Sequence, residues 1–265
     1  MTKHAFGFLR LRAWPSKPRT AGLFIGSDQA LPLRAQEDLL ETHSDIIDYA
    51  KFTDHAGLAS RYSESWFKKK LKLYSRYHVS TFIGGISFEL AVLQDKVDDY
   101  FGKVKGLGFT AVEVSEDTIP EMPPPQRAAT ISKARVLGLE VFTEVGRKYP
   151  DKPLDAGEAI ERIRADLDMG ARSVTIEAAE TAILKETNPQ VLIDIAEAIG
   201  LDKIVFECSP PYPWTDAAAW LIKTFGPTIN LENISLQECD RVYSMRQGMT
   251  QSVDFAFMTE TGGKP

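Results

Sequence analysis

Short apolar segments alternate with longer amphipathic segments along most of the chain. The short segments are rich in β-branched and aromatic residues and apolar on both faces, which is typical of buried parallel strands. They cover residues 21–27, 46–52, 78–83, 109–114, 139–145, 173–177, 203–208 and 228–231. Helical patterns lie between them, for example at 63–75, 94–106, 126–137 and 156–169, with a closing helix at 235–247. Eight strands that alternate with helices predict an α/β fold, a single (β/α)8 TIM barrel.

A glycine precedes several of the predicted strands and marks the end of the helix before each of them. These glycines are Gly108, Gly138, Gly170 and Gly200. A doubly wound open sheet is the alternative architecture, but it usually has fewer strands and a glycine-rich first turn. No break in composition indicates a second domain, so we predict an N-terminal extension at 1–16, a catalytic barrel at 17–257 and a flexible tail at 258–265.

The composition of the chain indicates which partners and which cellular compartment are expected. The chain has 265 residues, 43% of them hydrophobic, and a net charge of −6. No basic face or nucleic-acid motif is evident, so neither a nucleic acid nor an anionic membrane is an expected partner, whereas a homo-oligomer is compatible with the sequence. No apolar run approaches the roughly 20 residues of a membrane helix. The absence of a signal-peptide pattern and the presence of only Cys208 and Cys239 favour a reducing cytoplasm.

The predicted strand ends carry the candidate chemistry, because active sites of such barrels lie at the carboxyl ends of the strands. In order, these ends bring Asp28, Lys51, Gly84 with Gly85, Glu113, Glu144, Glu177, Glu207 and Asn230. Clustered carboxylates repel one another unless cations or protons offset them. A bound Mg²⁺ would explain why the glutamates cluster at the strand ends, since it prefers carboxylate and water ligands. The alternative is that some of the glutamates form structural ion pairs with Lys51 or Arg147.

The segment T-E-V-G-R-K at 143–148 adds two cations to the mouth of the barrel. Gly146 allows a sharp turn there, so Arg147 and Lys148 are expected to project over the mouth. Lys148 suits a proton donor or an electrostatic clamp for an enediolate-like intermediate. A salt bridge to Asp151 or to the nearby glutamates is the alternative interpretation. His55 follows the second strand, although a lone histidine is more often structural than catalytic.

Seven motifs in the same order and spacing resemble the phosphosulfolactate synthase family from about residue 17 to 257. They are K-P-R-x-x-G at 17–22, D-Y-A-K-F at 48–52, G-G-x-x-F-E at 84–89, V-E-V-S at 112–115, T-E-V-G-R-K at 143–148, F-E at 206–207 and G-P-x-x-N-L at 226–231. The resemblance implies a TIM barrel that adds sulfite to phosphoenolpyruvate with Mg²⁺. The carbon–sulfur bond so formed would lie on the route to coenzyme M or sulfolactate.

The resemblance also implies roles for individual residues. Lys148 matches the family lysine that is proposed to protonate the enolate carbon, and Glu144 and Glu177 become the expected metal ligands. Glu113 and Glu207 are the other expected catalytic residues. The residues expected to bind small anionic substrates are Arg19, Lys51, His55, Gly84, Gly85, Ser115 and Arg147.

Several positions depart from the family pattern. S-D/N-G-T becomes S-E-D-T at 115–118, and E-x-R-E-S after strand six becomes E-A-A-E-T, which places Ala179 where the family has arginine. E-A-P-x-K after strand seven becomes E-C-S-P-P and loses a lysine, and R-x-G-L-R becomes R-Q-G-M-T, with Thr250 in place of another arginine. Sites for polyanions depend on such cations.

Two alternatives therefore stand beside a sulfite-adding lyase. One is an enzyme on the same barrel with a less anionic substrate, a reading to which the aromatic residues Tyr212 and Trp214 contribute. The other is a non-catalytic binding protein, by similarity to the plant heat-stress-associated branch of the superfamily. The presence of Lys148 and all four strand-end glutamates argues against a pure binder, which has no reason to keep like charges together.

Overall fold

A closed barrel of parallel strands forms the centre of the molecule. The computed structural model describes residues 5–264, and within them each strand pairs with the next and β8 pairs with β1. The strands are β1 (Phe24–Asp28), β2 (Tyr49–Phe52), β3 (Ser80–Ile83), β4 (Ala111–Val114), β5 (Glu140–Val145), β6 (Ser173–Ile176), β7 (Ile204–Glu207) and β8 (Asn230–Ser235). The predicted single (β/α)8 barrel is confirmed.

Helices surround this barrel, and each link between consecutive strands contains at least one. They are α1 (Leu33–His43), α2 (His55–Ser60), α3 (Glu64–Arg76), α4 (Gly85–Leu93), α5 (Val97–Leu107), α6 (Pro124–Val136), α7 (Ala156–Asp168), α8 (Ala178–Thr187), α9 (Gln190–Ile199), α10 (Trp214–Phe225), α11 (Cys239–Arg246) and α12 (Ala256–Thr261). None of the helices in residues 5–264 combines the length and the apolarity needed to cross a membrane.

The barrel interior is built in layers that follow the two-residue alternation of a strand. The lower layer is apolar and contains Ile25, Tyr49, Phe82, Ala111, Phe142 and Val205. Rings from unpaired strands touch across it: the ring centroids of Tyr49 and Phe142 are 5.2 Å apart. Two residues further along their strands, the same interior face presents Lys51, Glu113, Glu144 and Glu207. The alternation that fills the core therefore also directs these charged side chains into the mouth.

The eighth strand differs from the prediction. It begins at Asn230 rather than ending near it, so Asn230 lies at the amino end of the barrel. Its Oδ1 accepts a hydrogen bond from the Leu23 N–H at 2.9 Å, and its Nδ2 donates to the Ile204 carbonyl at 2.9 Å. The Asn230 amide therefore has a structural role between neighbouring strands, and Glu232, two residues further along β8, is the residue that pairs with Lys51.

The two ends of the described chain pack near the amino end of the barrel. Trp14, in the predicted extension 1–16, has the guanidinium carbons of Arg19 and Arg246 at 5.9 and 5.1 Å from its ring centroid. The predicted tail 258–265 starts inside α12, which continues to Thr261. Residues 1–4 of the extension and residue 265 of the tail lie outside the described residues.

Candidate active site

The carboxyl ends of the strands open into a cavity of about 410 Å³. Its lining includes residues from several strand ends and from the loops that follow them: Ser27, Lys51, His55, Gly84, Gly85, Glu113, Asp117, Glu144, Lys148, Tyr149, Glu177, Ala179, Glu207, Pro211 and Tyr212. Carboxylates outnumber cationic side chains in this list. The mouth is therefore an acidic pocket in which cations or protons must offset the charge.

Three of the carboxylates are close enough to share one cation. Asp117, Glu144 and Glu177 each offer an oxygen, and these oxygens lie within 4.8 Å of one another. All three residues are buried. Asp117 Oδ1 and Glu144 Oε1 are buried without a hydrogen-bond partner in the described part of the chain. Because oxygen donors of this kind suit a hard divalent cation, the residues present fit a metal such as Mg²⁺.

Asp117 was not among the predicted metal ligands, whereas Glu144 and Glu177 were. Its position is set by Glu89 of α4, a buried carboxylate that sequence reasoning also missed. Glu89 accepts hydrogen bonds from the N–H groups of Asp117 and Thr118, each at 2.9 Å, and from the Thr118 hydroxyl at 2.5 Å. The loop after β4 is thereby folded so that Asp117 faces the mouth.

Lys148 lies at the edge of the acidic cluster. Its Nζ is 3.1 Å from Asp117 Oδ2 and 2.9 Å from Glu177 Oε2, and its side chain is 31% exposed. Burial alone would lower the pKa of Lys148, but the surrounding carboxylates, led by Glu207 and Glu144, raise it above the usual value. The ammonium is therefore charged at neutral pH. Lys148 therefore forms ion pairs with nearby carboxylates, as one interpretation expected, and it also lines the cavity.

Lys51 is held more deeply, between two buried carboxylates. Its Nζ lies 2.8 Å from Glu113 Oε1 and 3.0 Å from Glu232 Oε1. The other oxygen of Glu113 accepts a hydrogen bond from the Gly85 N–H at 2.6 Å. Glu232 was missed because the predicted eighth strand ended at residue 231, whereas β8 continues to Ser235. Its alternation with Asn230 was the signal that could have identified it.

Like charges and burial shift the acidity of the cluster. Burial raises the pKa of Glu177 to about 8, with Glu207 adding to the shift. Burial also raises the pKa of Asp117 to about 6, although Lys148 opposes it. Glu207 behaves differently: burial opposes its ionisation, but Lys148 and Lys51 together lower its pKa below the usual range. Without a bound cation, the cluster consequently keeps protons at neutral pH.

These shifts predict that the metal-free protein loses stability as the pH rises from about 6.5 to about 8. Glu177 and Glu232 have folded pKa values of about 8, above the values of unfolded glutamate. The folded state therefore binds more protons in this window, and stability falls by about 1–2 kcal/mol for each of the two groups as its proton is lost. The measurement is the melting temperature in a chelator at both pH values, repeated with Mg²⁺, which should restore the part of the loss that comes from Glu177.

Glu177→Gln is the matched variant for this experiment, because it removes one titrating carboxyl without changing side-chain size. Its melting temperature should depend less on pH than that of the unaltered protein. A melting temperature that rises with pH in the chelator, or that ignores Mg²⁺ at pH 8, would contradict the description of the cluster.

Other predicted substrate-binding residues also reach the mouth. Gly84 and Gly85 line the cavity, and a Cβ on Gly85 would lie 2.0 Å from the Ser115 hydroxyl oxygen, so no side chain fits there. His55 begins α2 and lines the same cavity. Burial lowers the pKa of His55, and Lys51 lowers it further, so its imidazole is neutral at neutral pH. These residues supply polar contacts without adding negative charge.

The structure does not bring the remaining predicted residues to the cavity. Ser115 is fully buried and its hydroxyl donates to Glu89. The Arg147 guanidinium donates to the Ile119 carbonyl at 2.9 Å and lines a separate cavity of about 930 Å³ between α6 and α7. Arg19 precedes β1, so it lies at the opposite end of the barrel, where its Nε is 3.0 Å from Asp48. Arg19 therefore forms an ion pair at the end of the barrel away from the cavity.

Some of the positions that depart from the family pattern line the cavity, and others lie away from it. Thr250 follows α11, which leads back to the amino end of the barrel, and its hydroxyl pairs with Ser252 at 2.9 Å. Its replacement of an arginine therefore has no bearing on the mouth. Ala179 and Pro211 do line the cavity. Trp214 packs against Arg241, whose guanidinium carbon is 5.2 Å from the ring centroid.

The fold and the site together define a (β/α)8-barrel enzyme whose mouth combines a three-carboxylate cluster with a charged lysine. Residues 12–252 match the family described as (2R)-phospho-3-sulfolactate synthase (ComA), and the chain belongs to this family. This confirms the resemblance seen in the motifs.

Individual relatives agree with the family match. The chain is 31% identical over 240 residues to a phosphosulfolactate synthase of Methanocaldococcus jannaschii, covering 86% of this chain and 92% of that protein. It is 30% identical over 242 residues to that of Methanothermobacter thermautotrophicus, covering 88% and 91%, and 28% identical over 256 residues to that of Bacillus subtilis, covering 93% and 98%. The relatives are synthases, and the chain is an enzyme of the same family.

Solved structures of lower identity share the fold alone. A DHDPS from Cyanidioschyzon merolae superposes with a TM-score of 0.55 at 12% identity, over 89% of this chain and 76% of that one. A 3-dehydroquinate dehydratase from Enterococcus faecalis also gives 0.55, at 10% identity over 85% and 94%.

Proposed function

We propose that this enzyme forms a carbon–sulfur bond by adding sulfite to phosphoenolpyruvate in a Mg²⁺-dependent reaction that yields phosphosulfolactate. One observation carries the proposal: the charged Nζ of Lys148 faces the cavity within about 3 Å of two members of the Asp117–Glu144–Glu177 cluster. A proton donor thus stands beside a candidate metal site. The names of the relatives supply the reaction class.

In the proposed reaction, sulfite attacks the methylene carbon of phosphoenolpyruvate. The electron pair of the double bond moves to the neighbouring carbon and its carboxylate, which produces an enolate-like intermediate. Lys148 donates a proton to that carbon and completes the addition, and the phosphate ester is retained. A charged lysine suits this step because it both stabilises the developing negative charge and supplies the proton.

Some of the acidic residues would bind a metal, and others would hold the cations and loops of the mouth. Asp117, Glu144 and Glu177 would hold Mg²⁺, which supplies positive charge to the anionic substrates when bound. Glu113 holds Lys51 and the Gly85 N–H, and Glu207 accepts from Asn233 Nδ2 at 2.6 Å. Glu113 and Glu207 thereby keep the cations and the loops of the mouth in place. Lys51, His55, Gly84 and Gly85 would contact the substrates.

Purified protein tests the proposal directly. With Mg²⁺ and phosphoenolpyruvate, sulfite should cause the phosphorus NMR signal of the enol phosphate to give way to that of an alkyl phosphate, and omission of sulfite should leave it unchanged. The metal can be tested separately by its effect on the melting temperature, so a folded, metal-responsive protein without this activity is recognisable.

A second candidate, an enzyme with a less anionic acceptor, is favoured by the lining of the cavity. Ala179 and Pro211 stand where the family pattern has cations. Among the described lining residues, the charged cations Lys51 and Lys148 are each already paired with two carboxylates. Sulfite-dependent product from a carboxylate acceptor that lacks phosphate, with none from phosphoenolpyruvate, would establish this alternative.

A further inference from the structure

The loop between β5 and α7 carries Lys148 and is fastened by Glu180, the second glutamate of the E-A-A-E-T segment after β6. Glu180, in the first turn of α8, is 2% exposed. One of its carboxylate oxygens accepts a hydrogen bond from the Arg147 N–H at 3.3 Å, and the other accepts from the Leu154 N–H at 3.0 Å. A single carboxylate thus binds the backbone on both sides of Lys148.

The start of the loop is shaped around the same side chain. Gly146 has a φ of +101°, and a Cβ there would lie 2.5 Å from Glu180 Cγ and 3.1 Å from Glu177 Cβ. Only glycine therefore permits this approach of the backbone to the Glu180 stem. The result is a tight contact at the point where the chain leaves β5 and turns towards Lys148.

Little else in the middle of the loop is buried. Tyr149 is 86% exposed, and the side chain of Lys152 is 73% exposed. Apolar burial within this stretch therefore contributes little to its conformation, and the hydrogen bonds at its two ends have a correspondingly large share.

We infer that Glu180 is a positioning residue for Lys148. By accepting hydrogen bonds from the Arg147 and Leu154 N–H groups, Glu180 holds the two ends of the loop and keeps Lys148 Nζ between Asp117 and Glu177. An effect of Glu180 on turnover rests on the proposed role of Lys148 as proton donor. An effect of Glu180 on the position of Lys148 Nζ does not depend on that role. An ionised carboxylate suits this role because both of its oxygens only accept, while a glutamine offers one accepting oxygen and one donating amide.

Glu180→Gln tests the inference with two readouts. The first is the rate at which Lys148 is acylated by a water-soluble reagent, measured by mass spectrometry of its peptide relative to Lys223, a partly exposed lysine paired with Asp254. We expect Lys148 labelling to rise about 2- to 10-fold, as the loss of one hydrogen bond frees the loop. The second is turnover, where kcat should fall about 10- to 100-fold with a smaller change in KM, because misplacement of a reacting group acts mainly on the chemical step.

Thr110→Val is the matched control. The Thr110 hydroxyl accepts from the Thr81 N–H at 2.9 Å near the amino end of the barrel, so the variant also deprives one backbone N–H of its partner. It should leave Lys148 labelling and kcat unchanged. If Glu180→Gln lowers the melting temperature as this control does but leaves Lys148 labelling unaltered, the inference is overturned. Should the protein form no phosphosulfolactate at all, the labelling result still decides the role of Glu180.

Discussion

Replacement of Lys148 by methionine is expected to lower turnover by about 10²–10⁴-fold, the usual contribution of a positioned general acid. The side chain keeps most of its length but loses both the proton and the charge beside the acidic cluster. Its melting temperature should change little, because the Lys148 side chain is 31% exposed and water can replace the ammonium. The measurement is the initial rate of sulfite-dependent phosphoenolpyruvate consumption, with thermal unfolding followed in parallel.

Lys152→Met provides the control for this result. Lys152 lies on the same loop, but its side chain is 73% exposed and pairs with Glu158 at the surface. This variant should retain nearly full activity. Loss of activity in both variants would point to the loop instead of the Lys148 ammonium. Activity of Lys148→Met within about twofold of the unaltered protein would remove Lys148 from the chemistry, since a general acid contributes far more.

The largest loss of stability is expected from Lys51→Met. Lys51 is 3% exposed and holds Glu113 and Glu232, so its removal leaves two buried carboxylates without their partner. Breaking a buried ion pair in this way costs about 3–5 kcal/mol of unfolding free energy. Urea denaturation at pH 7.5 measures the change directly.

A second substitution separates this effect from loss of packing. Adding Glu113→Gln to Lys51→Met removes a buried carboxylate that the single variant leaves without its cation, so the double variant should regain part of the lost stability. If Lys51→Met costs less than about 1 kcal/mol, or if the double variant is no more stable than the single one, the buried triad does not contribute as described.

Much of the fold could be predicted because it depends on patterns that are local in the sequence. The alternation of short apolar segments with amphipathic ones indicated the barrel, and the positions of Glu113, Glu144 and Glu207 at the ends of predicted strands indicated that they lie at the mouth. Glu177 follows the same rule, one residue beyond the end of β6. The eighth strand was misplaced because its apolar start, at Ile229, precedes a polar run that continues as strand.

The parts that could not be predicted depend on contacts between distant segments. Asp117 lies in a loop, and only its hydrogen bonds to Glu89 decide that it faces Glu144. Arg19 belongs to a family motif, but a motif does not show at which end of the barrel a side chain lies. Glu180 matches a glutamate of the family motif after strand six, but residue type and spacing do not show that it contacts backbone groups of another loop.

The most direct measurement of the central claim is product analysis in deuterated water. Wild-type protein with Mg²⁺, phosphoenolpyruvate and sulfite should form phosphosulfolactate that carries one deuterium on the carbon next to the carboxylate, as seen by mass spectrometry and proton NMR. A chelator should stop the reaction and added Mg²⁺ should restore it. Absence of phosphosulfolactate from protein whose melting temperature still responds to Mg²⁺ would contradict the account.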